Sequence, residues 1–215
     1  MSPENFITQW QNESLPLVAI LRGITPGEAA EAAEILLGCG FHYLEVPLNS
    51  PSPLESIRLM REVVGSHGWV GAGTVLTVEQ VDAVVECGGQ LIISPNCCVE
   101  VIRHTRKLGL VSLPGVMTPS EAFTAIAAGA SALKLFPAEQ ITPAITKAFR
   151  AVVPGEIACL PVGGIQANAA QMHSYIQAGA NGFGLGGGLY QAGISMTVLR
   201  ERAQAYQRAW LECAE

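Results

Sequence analysis

Eight short apolar runs, separated by alanine-rich segments, are the feature that most constrains how this chain of 215 residues can fold. The runs start at intervals of about 20 to 27 residues, and they occupy positions 17–22, 43–48, 70–75, 90–95, 110–115, 132–137, 158–164 and 182–187. The segments between them have the periodicity of amphipathic helices. Strands that alternate with helices predict a parallel sheet with helical crossovers.

The starts of several helices are marked by a hydroxyl residue, a proline and then a glutamate. This pattern occurs at 25–28, 52–55 and 118–121, and a weaker version that ends in glutamine occurs at 77–80. A last helix is predicted over roughly 195–213. No linker interrupts the series, so we expect one domain over residues 1–215, with 1–14 as an N-terminal extension.

Eight consecutive units predict a single compact (β/α) barrel with eight parallel strands, the TIM barrel. An open, doubly wound sheet is the competing architecture. The number of units and the glycine-rich ends of the last two strands favour the barrel. In a barrel, catalytic groups lie at the carboxyl ends of the strands, which gives a rule for ranking polar residues.

Composition excludes several classes of function. Hydrophobic residues make up 49% of the chain and charged residues 14%, which suits a large buried core. A net charge of -6 without a basic run argues against nucleic-acid binding. No apolar stretch approaches about 18 residues, and the first 16 residues lack a signal-peptide pattern, so we expect a cytoplasmic protein with no membrane contact. The six cysteines show no paired C-x-x-C spacing and are expected to be reduced.

Two charged residues interrupt apolar strands. Strand side chains alternate between faces, so Lys134 points inward if Leu133 and Leu135 face the helices. The same alternation turns Glu45 inward. A buried lysine loses its proton readily, which favours a functional role. A buried ion pair between Lys134 and Glu45 is the alternative.

Further candidates lie at strand ends. Arg22 ends the first strand and Thr74 the third, although either could be a simple structural residue. The glycine-rich stretches 161–165 and 184–188 follow the last two strands, where many barrels bind phosphate. Close packing of small residues at the end of the barrel is the alternative explanation.

The absence of several sequence motifs excludes some kinds of catalysis. The chain has a single aspartate, Asp82, within a predicted helix, and no two of its four histidines have the spacing of metal ligands. It also lacks a G-x-S-x-G elbow and a dinucleotide fingerprint. We therefore expect no metal and no cofactor. An inward lysine, an inward glutamate and an arginine fit Schiff-base catalysis on a carbonyl compound.

The motifs LEVPLNSP, GAGTVLT, SPN, LPGVMTPSEAF, ALKLFPAE, PVGGI and GLGGGLY, taken together, resemble the 2-keto-3-deoxy-6-phosphogluconate and -galactonate aldolases from about residue 15 onward. The resemblance implies a class I aldolase on a barrel, commonly a homotrimer, that releases pyruvate from a phosphorylated 2-keto-3-deoxy sugar acid. It further implies roles for seven residues: Lys134 as the Schiff-base lysine, Glu45 as the general acid/base, Arg22 and Thr74 at the keto-acid end, and Gly164, Gly186 and Gly187 around the phosphate.

Within that family the chain resembles the galactonate type more than the gluconate type. The gluconate type usually has an arginine and a threonine where this chain has Asn49 and Val162. The galactonate type, however, typically reads GLGSDLY where this chain reads GLGGGLY, so a hydroxyl is lost at Gly187. An isomerase or synthase of phosphorylated metabolites and a non-catalytic sugar-phosphate binder remain as alternatives.

Overall fold

The computed structural model describes residues 3–214, so Met1, Ser2 and Glu215 of the expected domain and extension lie outside it. The helices are α1 Pro3–Gln11, α2 Pro26–Gly38, α3 Pro53–Val64, α4 Val78–Glu86, α5 Val99–Lys107, α6 Pro119–Ala128, α7 Pro143–Arg150, α8 Ala169–Gln177 and α9 Met196–Ala214. Within residues 3–214, no helix is both long and apolar enough to cross a membrane.

The strands are β1 Leu17–Ile20, β2 Tyr43–Pro47, β3 Trp69–Gly73, β4 Leu91–Ile93, β5 Val111–Leu113, β6 Gly115–Val116, β7 Ala132–Leu135, β8 Ala158–Pro161 and β9 Phe183–Leu185. They form a six-stranded sheet in the order β5-β4-β3-β2-β1-β9 and a three-stranded sheet in the order β6-β7-β8. Each recorded strand pair is parallel, which confirms the predicted α/β class with a parallel sheet.

The predicted strand 110–115 is divided into β5 and β6 at Pro114. Proline has no N–H to donate to a neighbouring strand, which accounts for the interruption. The two sheets nevertheless contact each other at both borders. The backbone N–H groups of Ser131 and Lys134 donate to the carbonyls of Ser112 and Pro114 at 2.8 and 3.0 Å. At the other border, Val162 forms a parallel bridge with Gly184.

Helix starts follow the sequence signals with one exception. In α2 the backbone N–H and the hydroxyl of Thr25 both donate to the Glu28 carboxylate, at 2.9 and 2.6 Å. Reciprocal capping boxes begin α4 and α6. At α3, however, Ser52 is left-handed with φ of 40°, and its hydroxyl makes no capping hydrogen bond. The predicted cap is therefore wrong there, although the helix begins where expected.

Helix α1 covers the amino ends of the strands. Phe6 and Trp10 from α1 pack against Tyr43 and Trp69, which begin β2 and β3. The ring centroids of Trp10 and Tyr43 lie 4.6 Å apart, and all four side chains are at most 4% exposed. We refer to these four aromatic residues as the amino-end plug. A second apolar layer separates the strands from the surrounding helices.

Candidate active site

A cavity of about 610 Å³ opens at the carboxyl ends of the strands, which is the end opposite to α1. This is the location expected for the active site of a barrel enzyme. Its lining includes six of the seven residues singled out in the sequence, namely Arg22, Thr74, Lys134, Gly164, Gly186 and Gly187. The seventh, Glu45, does not line this cavity.

Lys134 lies in the middle of β7 and is 6% exposed. Its neighbours Leu133 and Leu135 are fully buried in the layer beneath the helices, so the lysine side chain lies on the inner face. Burial lowers the pKa of Lys134; the Glu45 carboxylate opposes this shift and the Arg22 guanidinium adds to it. Its Nζ lies 4.8 Å from the centre of the Phe136 ring. A lowered pKa increases the fraction of neutral, nucleophilic amine.

Glu45 lies in β2 and is 1% exposed. Burial raises the pKa of its carboxyl group, and the positive charges of Lys134 and Arg22 only partly oppose the shift. Its Oε2 has no hydrogen-bond partner among the described residues. Space for the carboxyl group depends on Gly73, because a Cβ at that position would lie 1.5 Å from Oε1.

Lys134 and Glu45 are close without forming a direct ion pair. None of the four ion pairs within 4.0 Å among the described residues joins them. Instead, both side chains line a second, small cavity of about 10 Å³ beneath the large one. That volume is about the minimum for one water molecule. The two charges still act on each other's pKa, and the small cavity leaves room for one connecting water.

Arg22 and Thr74 lie just beyond the ends of β1 and β3. The guanidinium of Arg22 donates to Oδ1 of Asn49 at 2.5 Å. Thr74 has a φ of 57°, a left-handed conformation that is rare for a β-branched residue. Such strain persists only where the surroundings enforce it, and it is concentrated at functional sites.

Glycines form the wall of the cavity at the ends of β8 and β9. Gly163 and Gly164 have positive φ values of 104° and 68°, and the Glu139 carboxylate packs beside them. A Cβ on Gly188 would lie 2.2 Å from the hydroxyl of Tyr206. By contrast, Gly187 has open space, with only Nε2 of Gln191 at 4.0 Å from its Cβ position.

Several cavity residues were not named as site candidates from the sequence. Phe136 shares the inward face of its strand with Lys134, and Pro95 follows β4, so strand alternation and the rule about carboxyl ends could have identified both. Glu139, Gln166 and Gln191 lie further along the loops, where no local pattern distinguishes a lining residue from an exposed one.

The arrangement supports amine catalysis. A buried amine with a lowered pKa lies near a carboxyl group with a raised pKa, and the amine reaches an open cavity. Such a pair can attack a carbonyl and transfer protons. Across the described residues, no three His, Cys, Asp or Glu side chains gather so as to hold a metal ion.

Comparison with known proteins gives consistent matches. The family described as KDPG and KHG aldolase matches residues 9–198. The 2-dehydro-3-deoxy-6-phosphogalactonate aldolase of Escherichia coli (strain K12) is 46% identical over 208 residues, covering 96% of this chain and all of the relative.

Solved structures agree with this result. A structure described as native KDPGal has a TM-score of 0.90 and 44% identity, covering 94% of this chain and 97% of the other. A cube-shaped cage designed by fusing symmetric oligomeric domains has the same TM-score and identity, over 94% of this chain and 74% of the cage chain.

Proposed function

This chain belongs to the KDPG and KHG aldolase family, and we propose that it cleaves 2-dehydro-3-deoxy-6-phosphogalactonate to pyruvate and D-glyceraldehyde 3-phosphate. Family membership makes it a carbon–carbon lyase of the Schiff-base type. The observation that carries the proposal is the Lys134 amine, which is buried, has a lowered pKa and opens onto a cavity of about 610 Å³.

In the proposed mechanism, neutral Lys134 attacks the keto carbon of the substrate, and loss of water gives a protonated imine. The imine withdraws the electron pair of the C3–C4 bond as that bond breaks. The C4 hydroxyl loses its proton and becomes the carbonyl of the departing aldehyde. The enamine that remains on Lys134 takes up a proton at C3, and hydrolysis of the resulting imine releases pyruvate.

We assign the proton transfers to Glu45. Burial raises the pKa of its carboxyl group, which makes the carboxylate a better proton acceptor and suits a group that both accepts and donates protons. The small cavity shared with Lys134 supports transfer through one water molecule. Arg22 and Thr74 would hold the carboxylate end, where a guanidinium forms charge-assisted hydrogen bonds. The backbone of Gly164, Gly186 and Gly187 would hold the far end of the substrate.

Reduction with borohydride in the presence of pyruvate tests the mechanism directly. We expect a covalent pyruvyl adduct on Lys134 and none on Lys107 or Lys147, which are exposed. Replacing Glu45 with Gln should slow turnover by about 10² to 10⁴-fold. An unlabelled Lys134, as in a sugar-phosphate binder or an isomerase, would reject the imine mechanism.

The gluconate isomer is a second candidate substrate. The matching family description names KDPG, which stands for 2-keto-3-deoxy-6-phosphogluconate. The two isomers differ in configuration at C4, next to the bond that breaks. Assaying both phosphates side by side decides between them. We expect the larger kcat/KM for the galactonate isomer, and the reverse order would assign the chain to the gluconate type.

We also propose that the nine strands form one closed eight-stranded barrel, in which β5 and β6 act as a single interrupted strand, and that residues 1–215 form one domain. The hydrogen bonds at both sheet borders support closure of the barrel.

We further propose that the protein is a cytoplasmic homotrimer. Exposed Met117 and Phe123 offer apolar surface for subunit contacts, and the free thiols suit a reducing compartment. Sedimentation at three times the chain mass of 22.6 kDa would support the trimer.

A further inference from the structure

The wall of the large cavity at the ends of β8 and β9 would face the end of the substrate farthest from Lys134. We call it the far wall, and it consists of Gly163, Gly164, Ile165, Gln166, Gly186, Gly187, Gly188, Tyr190, Gln191 and Ala192. Its side chains contribute two neutral amides, from Gln166 and Gln191, and the phenol of Tyr190. The remaining polar groups of the far wall belong to the backbone.

Positive charge in the described cavity lining is confined to Arg22 and Lys134. Lys134 is buried on β7, near Glu45. Arg22 follows β1, whose two neighbours in the sheet are β2 and β9. Its guanidinium donates to Asn49, which follows β2, so the charge is directed toward the β2 side of β1 rather than toward β9. Another cation, Arg202 on α9, does not line the cavity.

A negative charge lies beside the far wall instead. Oε2 of Glu139 would lie 2.4 Å from a Cβ on Gly163, and Cγ of Glu139 would lie 2.8 Å from a Cβ on Gly164. The same carboxylate lines the cavity. A phosphate dianion held by the Gly163–Gly164 backbone would therefore be close to a like charge, which disfavours it.

We propose that the far wall accepts an uncharged, hydroxylated chain end as well as a phosphate, so that the enzyme also cleaves unphosphorylated 2-keto-3-deoxy sugar acids. This inference rests on the proposed aldolase function and extends its substrate class. Backbone N–H groups and amides donate to hydroxyl oxygens as well as to phosphate oxygens. Charged donors, which form the stronger hydrogen bonds to phosphate, are missing from the described residues of the far wall. Glu139 and the amide oxygens can accept hydrogen bonds from hydroxyl groups.

The reaction remains a retro-aldol cleavage without a change of oxidation state. The C3–C4 bond of the six-carbon acid breaks, and the C4 hydroxyl proton is transferred to the protein. C3 of the enamine takes up one proton in return. The products are pyruvate and glyceraldehyde, and no co-reactant is consumed.

The deciding experiment compares kcat/KM for 2-keto-3-deoxygalactonate with and without its 6-phosphate. A site that recognises a group through dedicated partners rejects an analogue lacking it by about 10⁴ to 10⁵-fold. Here we expect the phosphorylated acid to be preferred by less than about 10²-fold. A larger preference would overturn the proposal.

The borohydride trap separates this failure from failure of the aldolase function. If the phosphorylated acid alone is cleaved and Lys134 is labelled, the aldolase function stands and the far-wall proposal falls. If neither acid is cleaved and Lys134 is not labelled, the aldolase function itself fails, and this inference fails with it.

A charge added to the far wall tests whether this surface is responsible. Gln191 is exposed, and its amide lies nearest to the open space at Gly187. Gln191→Arg should raise the preference for the phosphorylated acid by about 10-fold or more, mainly through KM, because a charged donor strengthens phosphate binding. Gln204→Arg is the matched control, since Gln204 is exposed on α9 outside the cavity. An unchanged preference in Gln191→Arg would contradict the assignment to the far wall.

Discussion

The two ends of the strands differ in what they bury. At the amino ends, the four aromatic residues of the amino-end plug fill the space between α1 and the sheet. At the carboxyl ends, glycines and loop residues surround a cavity of about 610 Å³. The same strands run through both regions. Packing at one end can hold the strand positions, which lets the other end keep open space and unpaired polar groups.

Two carboxyl groups, the half-buried Glu13 and the buried Glu45, show the same contrast in electrostatics. Burial alone would raise the pKa of Glu13 near the plug, but hydrogen bonds from His42 and from the backbone N–H of Leu15 outweigh it, and the pKa is lowered. At the carboxyl ends, burial of Glu45 dominates and its pKa is raised. The amino end satisfies its charged groups, whereas the carboxyl end leaves Glu45 and Lys134 available for chemistry.

Removing the Lys134 amine should cause the largest effect at the carboxyl end. We expect Lys134→Met to lower kcat by about 10⁴ to 10⁶-fold, the range for loss of a covalent nucleophile. The free energy of unfolding should change less than in a plug variant, because Glu45 can take up a proton once its partner is gone. Lys147→Met, in an exposed lysine, is the control and should keep full activity. Substantial turnover by Lys134→Met, measured in steady-state assays, would contradict the assignment.

Removing a plug residue should produce the opposite pattern. Trp10 is 4% exposed, and its indole N–H donates to the carbonyl of Asn181 at 3.0 Å. Trp10→Ala should lower the free energy of unfolding by about 3 to 5 kcal/mol in urea titrations. The folded enzyme should keep its kcat, because the amino-end plug lies at the opposite end of the strands from the active-site cavity. Leu211, 54% exposed, supplies the control Leu211→Ala with an expected change within about 0.5 kcal/mol. Similar losses of kcat in both Trp10→Ala and Lys134→Met would remove the distinction between the two ends.

Substitutions of Thr74 test whether the backbone at the carboxyl ends of the strands is strained. Its left-handed backbone costs about 1 to 2 kcal/mol in an L-residue. Thr74→Gly should raise the free energy of unfolding by up to about 1 kcal/mol, after the greater flexibility of unfolded glycine is subtracted. Loss of a hydroxyl that contacts substrate should lower kcat/KM by about 2 to 10-fold. Thr74→Ala also loses the hydroxyl but keeps the strained conformation. A gain in stability in Thr74→Ala equal to that in Thr74→Gly would argue against backbone strain.

Periodicity was sufficient to predict much of the fold and the inner face of the site. Leu133 and Leu135 alternate with Lys134 as a strand requires, and all three occupy the faces that the alternation predicts. Glu45 follows the same rule. These features depend on local geometry, which neighbouring residues determine.

Features that depend on distant contacts could not be predicted. Nothing in the sequence around Phe6 and Trp10 indicates that α1 packs on Tyr43 and Trp69, because the plug joins segments far apart in the chain. The conformation of Thr74 depends on packing around the loop. The position of Gln191 near Gly187 depends on how the loop after β9 folds back over the cavity.

The smallest expected effect concerns pH at the amino end. Nδ1 of His42 lies 3.0 Å from a Glu13 oxygen, and this hydrogen bond raises the pKa of His42. A raised pKa stabilises the fold below about pH 6.5, the unfolded value, and the contribution is lost as pH rises through the folded pKa. The lowered pKa of Glu13 works in the other direction, since its contribution is present above about pH 4.3 and is lost on acidification.

His42→Gln should therefore lower the free energy of unfolding by a few tenths of a kcal/mol at pH 6 and by less at pH 8.5. The effect is small because the imidazole is 37% exposed. His67→Gln is the control from the same surface hollow. Equal losses at both pH values would mean that His42 stabilises the fold by packing rather than by charge, and the electrostatic contrast between the two ends would then rest on Glu45 and Lys134 alone.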